Sequence, residues 1–245
     1  MSVDMIVQAD FKALEWVTAL ELSQDSIGIQ EYIDGIDLHA ENQTLLKLPE
    51  RRIAKIFLFR LIYGGTGYSY AHDNNFNHVS SNVKYWDRLI EQFYSKYVGL
   101  YKWHTRIFSD TARNGQLVIP TGRIYRFSPQ RDRKGELKWP RTKILNYPVQ
   151  GYAAELVKIA RILLYEYLNG KGLNHGLLIS SVHDSLVVDC PNEDTERTCE
   201  ALHHIIHDLT SRAFERIFST KFSLPLRGEI TFGYNQKETE EWHGS

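Results

Sequence analysis

Cysteine is almost missing from this chain: Cys190 and Cys199 are the only two among 245 residues. Two thiols make no disulfide framework and suit a reducing compartment, which excludes a small stapled secreted domain. No apolar run reaches the ~18 residues that a membrane span requires. The N-terminal stretch MSVDMIVQADF has no basic segment followed by an apolar one, so it lacks the pattern of a secretory leader. The expectation is a cytoplasmic protein. Charge of one sign is also lacking, since 29 basic and 30 acidic side chains leave a net −1. A protein that grips nucleic acid unaided usually shows a basic surplus. Any such grip is therefore confined to a narrow patch, or another chain supplies much of it. Repeats, low-complexity tracts and obvious linkers are absent too.

The residues that are present are ordinary for a folded protein: 42% hydrophobic and 24% charged, enough chain for one or two buried cores. DMIVQAD at Asp4–Asp10 reads as a buried strand ending in a carboxylate, running into a helix over Phe11–Leu22. Asp37 is placed to cap a helix that Pro49 ends, and Pro49 suits the first turn of a helix over Arg51–Gly64. Gly64, Gly65 and Gly67 stop that helix rather than cradle a phosphate, because no strand precedes them and no Gly-Lys-Ser/Thr comes after. Helices rich in aromatic packing residues span Asn82–Asn114. QLVIP-TG-RIYRF reads as a hairpin turning at Gly122, and Tyr147–Leu168 as a long helix with Pro148 near its start. GLLISSV-HD-SLVVDC at Gly176–Cys190 reads as a second hairpin, apolar on both arms. An amphipathic helix over about Glu193–Phe218, with Leu202, Ile205, Ile206, Leu209 and Ile217 inward, and a strand over Leu226–Phe232 close the chain.

The central stretch is RRIAKIFLFRLIYG. Arg51, Lys55, Phe59 and Tyr63 recur every four residues, a step of about 400° on a helix, so they form one row roughly 18 Å long. Two cations and then two rings match the phosphates and then the base and sugar of a nucleoside triphosphate. Asp10 and Asp184 each stand at the end of an apolar strand. A carboxylate there needs neutralising, and Mg²⁺ does so with one or two carboxylates plus phosphate oxygens. A pair of such ions can activate an attacking oxygen and steady a leaving one.

These segments together resemble the C-terminal palm-and-fingers region of family A DNA polymerases, the class of bacterial DNA polymerase I. DFKALE at Asp10–Glu15 is similar to the family's first catalytic motif, and VHDS at Val182–Ser185 to the second. Arg51-xxx-Lys55-xxx-Phe59-xxx-Tyr63-Gly64 matches the fingers helix. FYSKYVGL, the Thr121-Gly122-Arg123 turn and Asn146-Tyr-Pro-Val-Gln150 come in the family's order, so the resemblance covers essentially the whole chain. It implies an α+β fold: a right-hand palm of antiparallel sheet with packed helices, plus a helical fingers subdomain, with thumb and exonuclease absent. The implied division is palm over 1–36, fingers over 37–115 and palm again over 116–245.

The implied activity is DNA-directed DNA synthesis from dNTPs on a primer–template, with two Mg²⁺ ions for which Mn²⁺ can substitute. Asp10, Asp184 and the Phe11 carbonyl would hold the ions. Arg51 and Lys55 would bind the triphosphate, with Lys55 protonating the leaving pyrophosphate. Phe59 would pack on the sugar and base, and Tyr63 would stand beside the nascent pair. Glu15 would fill the space of a ribose 2′-OH. Asn146, Gln150, His183 and Arg141 would contact DNA. With only nine residues before Asp10 and a near-zero net charge, the expectation is one chain of a split polymerase of bacteriophage type. Its second polypeptide carries the thumb, the upstream palm and, in some arrangements, a 3′–5′ exonuclease. An expressed fragment of a longer polymerase would begin the same way.

Some positions depart from the family pattern. Ser185 replaces the usual carboxylate, Ala13 a glutamine, Val17 an arginine, Arg60 a glycine and Thr142 an arginine. A single-subunit RNA polymerase fragment is the nearest alternative, which Glu15 opposes by crowding a ribose. A non-catalytic nucleic-acid-binding subunit is the next, opposed by the presence of both aspartates. His203 and His207 have zinc-ligand spacing, but no accompanying glutamate motif and an apolar helix face beside them.

Overall fold

The computed structural model describes residues 4–132, 134–170 and 176–244. Strand β1 (Asp4–Phe11) leads into helices α1 (Leu14–Ser23), α2 (Ser26–Ile33), α3 (Leu38–Leu46) and α4 (Arg51–Ile62). Helices α5 (Gly67–Ala71), α6 (Val83–Lys96) and α7 (Val98–Asn114) come after them. Small hairpins are next, β2 (Gln116–Val118) with β3 (Ile124–Arg126), and β4 (Gln130–Arg131) with β5 (Leu137–Lys138). The long helix α8 (Arg141–Leu168) precedes β6 (Leu177–Val182), β7 (Ser185–Pro191), α9 (Thr195–His204) and α10 (Thr210–Phe218). Strands β8 (Gly228–Gly233) and β9 (Thr239–Glu241) complete the order.

These elements form two compact units, one of residues up to Leu14 and from Gly151 onward, the other of Glu15–Gln150. Helix α2 and both hairpins, together with nearly all of α1, group with the helical unit rather than with the main sheet.

In the first unit an antiparallel sheet runs in the order β6-β7-β1-β8-β9. β1 sits between β7 and β8, and its residues alternate as a half-covered strand must. Met5, Val7, Ala9 and Phe11 are buried, while Gln8 and Asp10 lie on the opposite, partly open face. Helix α9 packs against β1, β7 and β8. Leu202, Ile205, Ile206 and Phe214 join Leu186, Val188 and Ile230 in the core. Each such buried side chain contributes roughly 1.5–3 kcal/mol by leaving water.

The second unit is centred on buried aromatic rings: Phe57, Tyr70, Phe76, Trp86 and Phe93 lie within about 4.7–6.3 Å of a neighbour, centroid to centroid. Their polar tips are satisfied, Tyr70 Oη donating to the Phe57 carbonyl (2.8 Å) and Trp86 Nε1 to that of Ser80 (2.8 Å). Asp25 caps two helices at once, accepting from Gly28 N (2.8 Å) in α2 and from Leu100 N (3.1 Å) in α7. Gly99 makes that approach feasible, since a Cβ there would lie 2.6 Å from the Asp25 Cα. Lys96 bridges Glu31 (2.6 Å) and Glu41 (2.8 Å), tying α6 to α2 and α3.

Several elements differ from expectation. Helix α8 begins at Arg141, six residues before Tyr147, so Pro148 lies in its interior. Proline costs about 3 kcal/mol there, which burial of Ile144, Leu145 and Val149 on the same helix offsets. Pro49 stands outside α4, whose N-cap is Glu50. The arm β6 is the sheet's edge, with Leu177, Ile179 and Val182 exposed. The last helix contains a π turn, Ile205–Leu209, and the extra residue rotates the downstream turns. Ile217 accordingly faces solvent at 56% exposure instead of the core. β4, β5 and β9 carry no sequence signal that announces them.

Candidate active site

The two aspartates converge through strand pairing. Asp10 lies opposite Ser185 in the β1–β7 register, and Phe11 N donates to the Asp184 carbonyl (3.1 Å). The β6–β7 connection is the two-residue turn His183-Asp184, closed by the pairing of Val182 with Ser185. Such a turn demands a left-handed residue, and His183 provides it with φ +55°. His183 is exposed at this tip, and Asp10 and Asp184 are half-buried. Gln8 Nε2 donates to Asp10 Oδ2 (2.8 Å), which fixes that carboxylate on the open face.

Among the described residues neither aspartate has an ion-pair partner, and the Asp184 side chain makes no hydrogen bond. Two carboxylates on paired strands, with no ion-pair partner among the described residues, suit Mg²⁺ completed by phosphate oxygens. No three His, Cys, Asp or Glu side chains among the described residues form a full protein cage. On β8, Glu229 stands opposite Asp10 and pairs with Lys12 (3.4 Å), neither of which drew notice in the sequence.

In the helical unit, α4 buries Ile53, Ala54, Phe57, Leu58, Leu61 and Ile62. That face holds the opposite row open: Arg51 and Lys55 are exposed, Phe59 and Tyr63 half-buried. The helix ends as its glycines require, with Gly64 at φ +81° and Gly65 N donating to the Arg60 carbonyl (2.8 Å). Arg51 makes a two-pronged pair with Asp37 (2.8 and 3.1 Å), which holds the Asp37 carboxyl below its usual pKa while it caps α3. Lys55 is 6.0 Å from the Phe59 ring centroid and has no ion-pair partner among the described residues.

His39 belongs to this row although the sequence did not single it out. Its ring is 5.9 Å from that of Phe59, and its Nδ1 is buried with no hydrogen-bond partner among the described residues. Burial, then the charge of Arg51, lowers its pKa, so it is neutral at pH 7. The only advance signal was a histidine in the first turn of the helix preceding the basic row.

Tyr63 accepts from Gln150 Nε2 (3.4 Å), and burial raises its pKa to about 12, with the nearby Glu15 charge adding to the rise. Asn146 lines a cleft of about 430 Å³ with Arg60, Tyr63, Gly64 and Thr142. Arg60 spans from α4 to the Ser69 carbonyl (2.8 Å) and Asp73 (2.6 Å), a structural bridge. Arg141 stacks its guanidinium 5.0 Å from the Phe108 ring centroid. One unit thus gathers Asp10, Phe11, His183 and Asp184. The other gathers Glu15, Arg51, Lys55, Phe59, Tyr63, Asn146 and Gln150.

An antiparallel sheet that sets Asp10 beside the His183-Asp184 turn, in a chain that also carries a cationic–aromatic helix, has the outline of a polymerase-type α+β fold. The sequence matches DNA polymerase family A across residues 2–238, and the chain belongs to that family. It is 27% identical over 205 residues to DNA polymerase I of Aquifex aeolicus (strain VF5), covering 80% of this chain and 34% of that one. It is 25% identical over 238 residues to DNA polymerase I of Treponema pallidum (strain Nichols), covering 93% and 22%. With the thermostable DNA polymerase I of Thermus aquaticus it shares 24% over 250 residues, covering 97% and 27%. The chain spans about a fifth to a third of the length of these relatives. The POL domain of Pol1 from M. smegmatis, solved with DNA primer-template and dNTP, superposes with a TM-score of 0.73 at 18% identity. That match covers 94% of this chain and 40% of the other, and it establishes the shared α+β fold.

Proposed function

We propose that this chain is a DNA-directed DNA polymerase that adds dNTPs to a primer 3′-OH on a template and releases pyrophosphate. The observation carrying this is the pairing of Asp10 with the Asp184 turn on the open face of the central strands, in a chain of this family. Asp10, Asp184 and the Phe11 carbonyl would hold two Mg²⁺ ions, which supply charge stabilisation to the attacking and leaving oxygens. Arg51 and Lys55 would hold the triphosphate, and Lys55, an exposed ammonium, would give a proton to the departing pyrophosphate. Phe59 would pack on the sugar and base, and Tyr63 would stand at the nascent pair, braced by Gln150. Asn146, Gln150, His183 and Arg141 would contact the primer–template. A net charge of −1 leaves little non-specific grip on a duplex. Much of the DNA affinity is therefore assigned to further polypeptide, on the same or a separate chain.

Primer extension tests this. With Mg²⁺ and a primer–template, Asp10→Asn and Asp184→Asn should each lose several kcal/mol of stabilisation, about a hundredfold in rate or more. Melting should be unchanged. Extension at the wild-type rate by either variant overturns the assignment.

A further inference from the structure

Glu229 occupies a position on the catalytic face that its sequence context does not announce. Asp10 pairs with Ser185 on one side and Glu229 on the other. Residues directly opposite across antiparallel strands project from the same face, with Cβ atoms about 4.5–5.5 Å apart. The open face therefore carries Ser185, Asp10 and Glu229 in one line across three strands, with Asp184 at the adjoining turn. Like charges set directly opposite each other destabilise a sheet, so placing Glu229 against Asp10 needs a compensating positive charge. Lys12 supplies part of it, 3.4 Å from the Glu229 carboxylate, with both side chains about half exposed. A second, independent feature points to an absent polar partner. Ser185 is only 9% exposed and its Oγ has no hydrogen-bond partner among the described residues, in a strand position opposite Asp10. A buried hydroxyl left unpaired costs about 1–3 kcal/mol, so the strand beside Asp10 carries an unmet polar group.

We infer that Glu229 is an outer carboxylate of the divalent-cation site, acting through its charge and through cation-bound water, with Lys12 as the opposing charge that tempers it. The inference rests on the cation site proposed above. It assigns affinity for the ions to a third strand, β8, and to a residue 219 positions after Asp10 in the sequence. Direct ligation by Glu229 is not required, in keeping with the absence of a three-residue cage among the described residues.

The test is Mn²⁺ titration of the full chain monitored by electron paramagnetic resonance, without DNA or nucleotide. A full charge a few ångströms from a divalent ion in a half-exposed site changes affinity by about five- to tenfold. Glu229→Gln should weaken Mn²⁺ binding by that factor and Lys12→Met should strengthen it. Glu229→Gln introduced on top of Lys12→Met should still weaken binding, because the carboxylate acts on the ion and not merely on Lys12. Unchanged affinity in Glu229→Gln, or an effect that disappears in the Lys12→Met background, overturns the inference. Asp10→Asn provides the separate control: if it leaves Mn²⁺ affinity intact, the underlying cation site fails. If it abolishes binding while Glu229→Gln is silent, only the role of Glu229 fails. Thermal melting of each variant verifies that the sheet is intact.

Discussion

Single residues decide the chemistry and one of them dictates a pH limit. His104 is fully buried, bonded through Nδ1 to the Tyr94 hydroxyl (2.8 Å), and burial lowers its pKa to about 3. Its unfolded value is 6.5, so between these the unfolded state holds the extra proton. Stability from this group is thus complete above about pH 6.5 and falls by about 1.4 kcal/mol per pH unit on acidification, levelling near pH 3. Urea melts from pH 7 to pH 4 should show a shallower decline for His104→Gln than for the wild type, even if that variant starts less stable. At the proposed nucleotide site, Glu15 is close enough to Tyr63 for its charge to be felt there. Glu15→Ala should raise rNTP incorporation relative to dNTP by about 10–100-fold, as losing a steric and polar filter of one hydroxyl allows. Primer extension with each nucleotide set reads the ratio, and an unchanged ratio assigns sugar choice elsewhere.

Elements show which parts of the molecule were legible in advance. β1, α3, α4 and the β6–β7 hairpin arise from alternation, a capping aspartate and a four-residue row, all local signals. The convergence of Asp10 and Asp184 needed the resemblance, because strand pairing across more than 170 residues leaves no local trace. Glu229 was missed for the same reason, and His39 because one ring ahead of a helix has no period. Pro148 misled because its penalty is local while the burial that offsets it is not. Asp25 shows the reverse, a local cap with a distant second use. Losing both bonds to a buried carboxylate ends two helices without a cap at about 1 kcal/mol or more each. Asp25→Ala should therefore cost about 2–4 kcal/mol in urea unfolding, and Asp25→Asn clearly less. A loss under about 1 kcal/mol for the alanine variant means the α7 bond is dispensable.

For the whole molecule, the border between the two compact units falls inside a helix, at Gln150–Gly151 of α8. Pro148 removes one backbone donor there and Gly151 adds about 1 kcal/mol of unfavourable propensity. Away from its ends, α8 should exchange amide hydrogens faster at residues 149–152 than around Leu156–Leu164, where Leu156, Ala160 and Leu164 are fully buried. Uniform protection along α8 would contradict this. Among the described residues no helix is long and apolar enough to cross a membrane.

The central place of β1 has a genetic consequence. It is bonded on both flanks, so losing a single codon anywhere in its middle shifts every later residue to the other face of the sheet. Asp10 would turn toward the core while Ala9 and Phe11 turned out, and folding and chemistry would fail together. Substitutions along this strand should give graded phenotypes, but in-frame deletions of one residue should give only nulls.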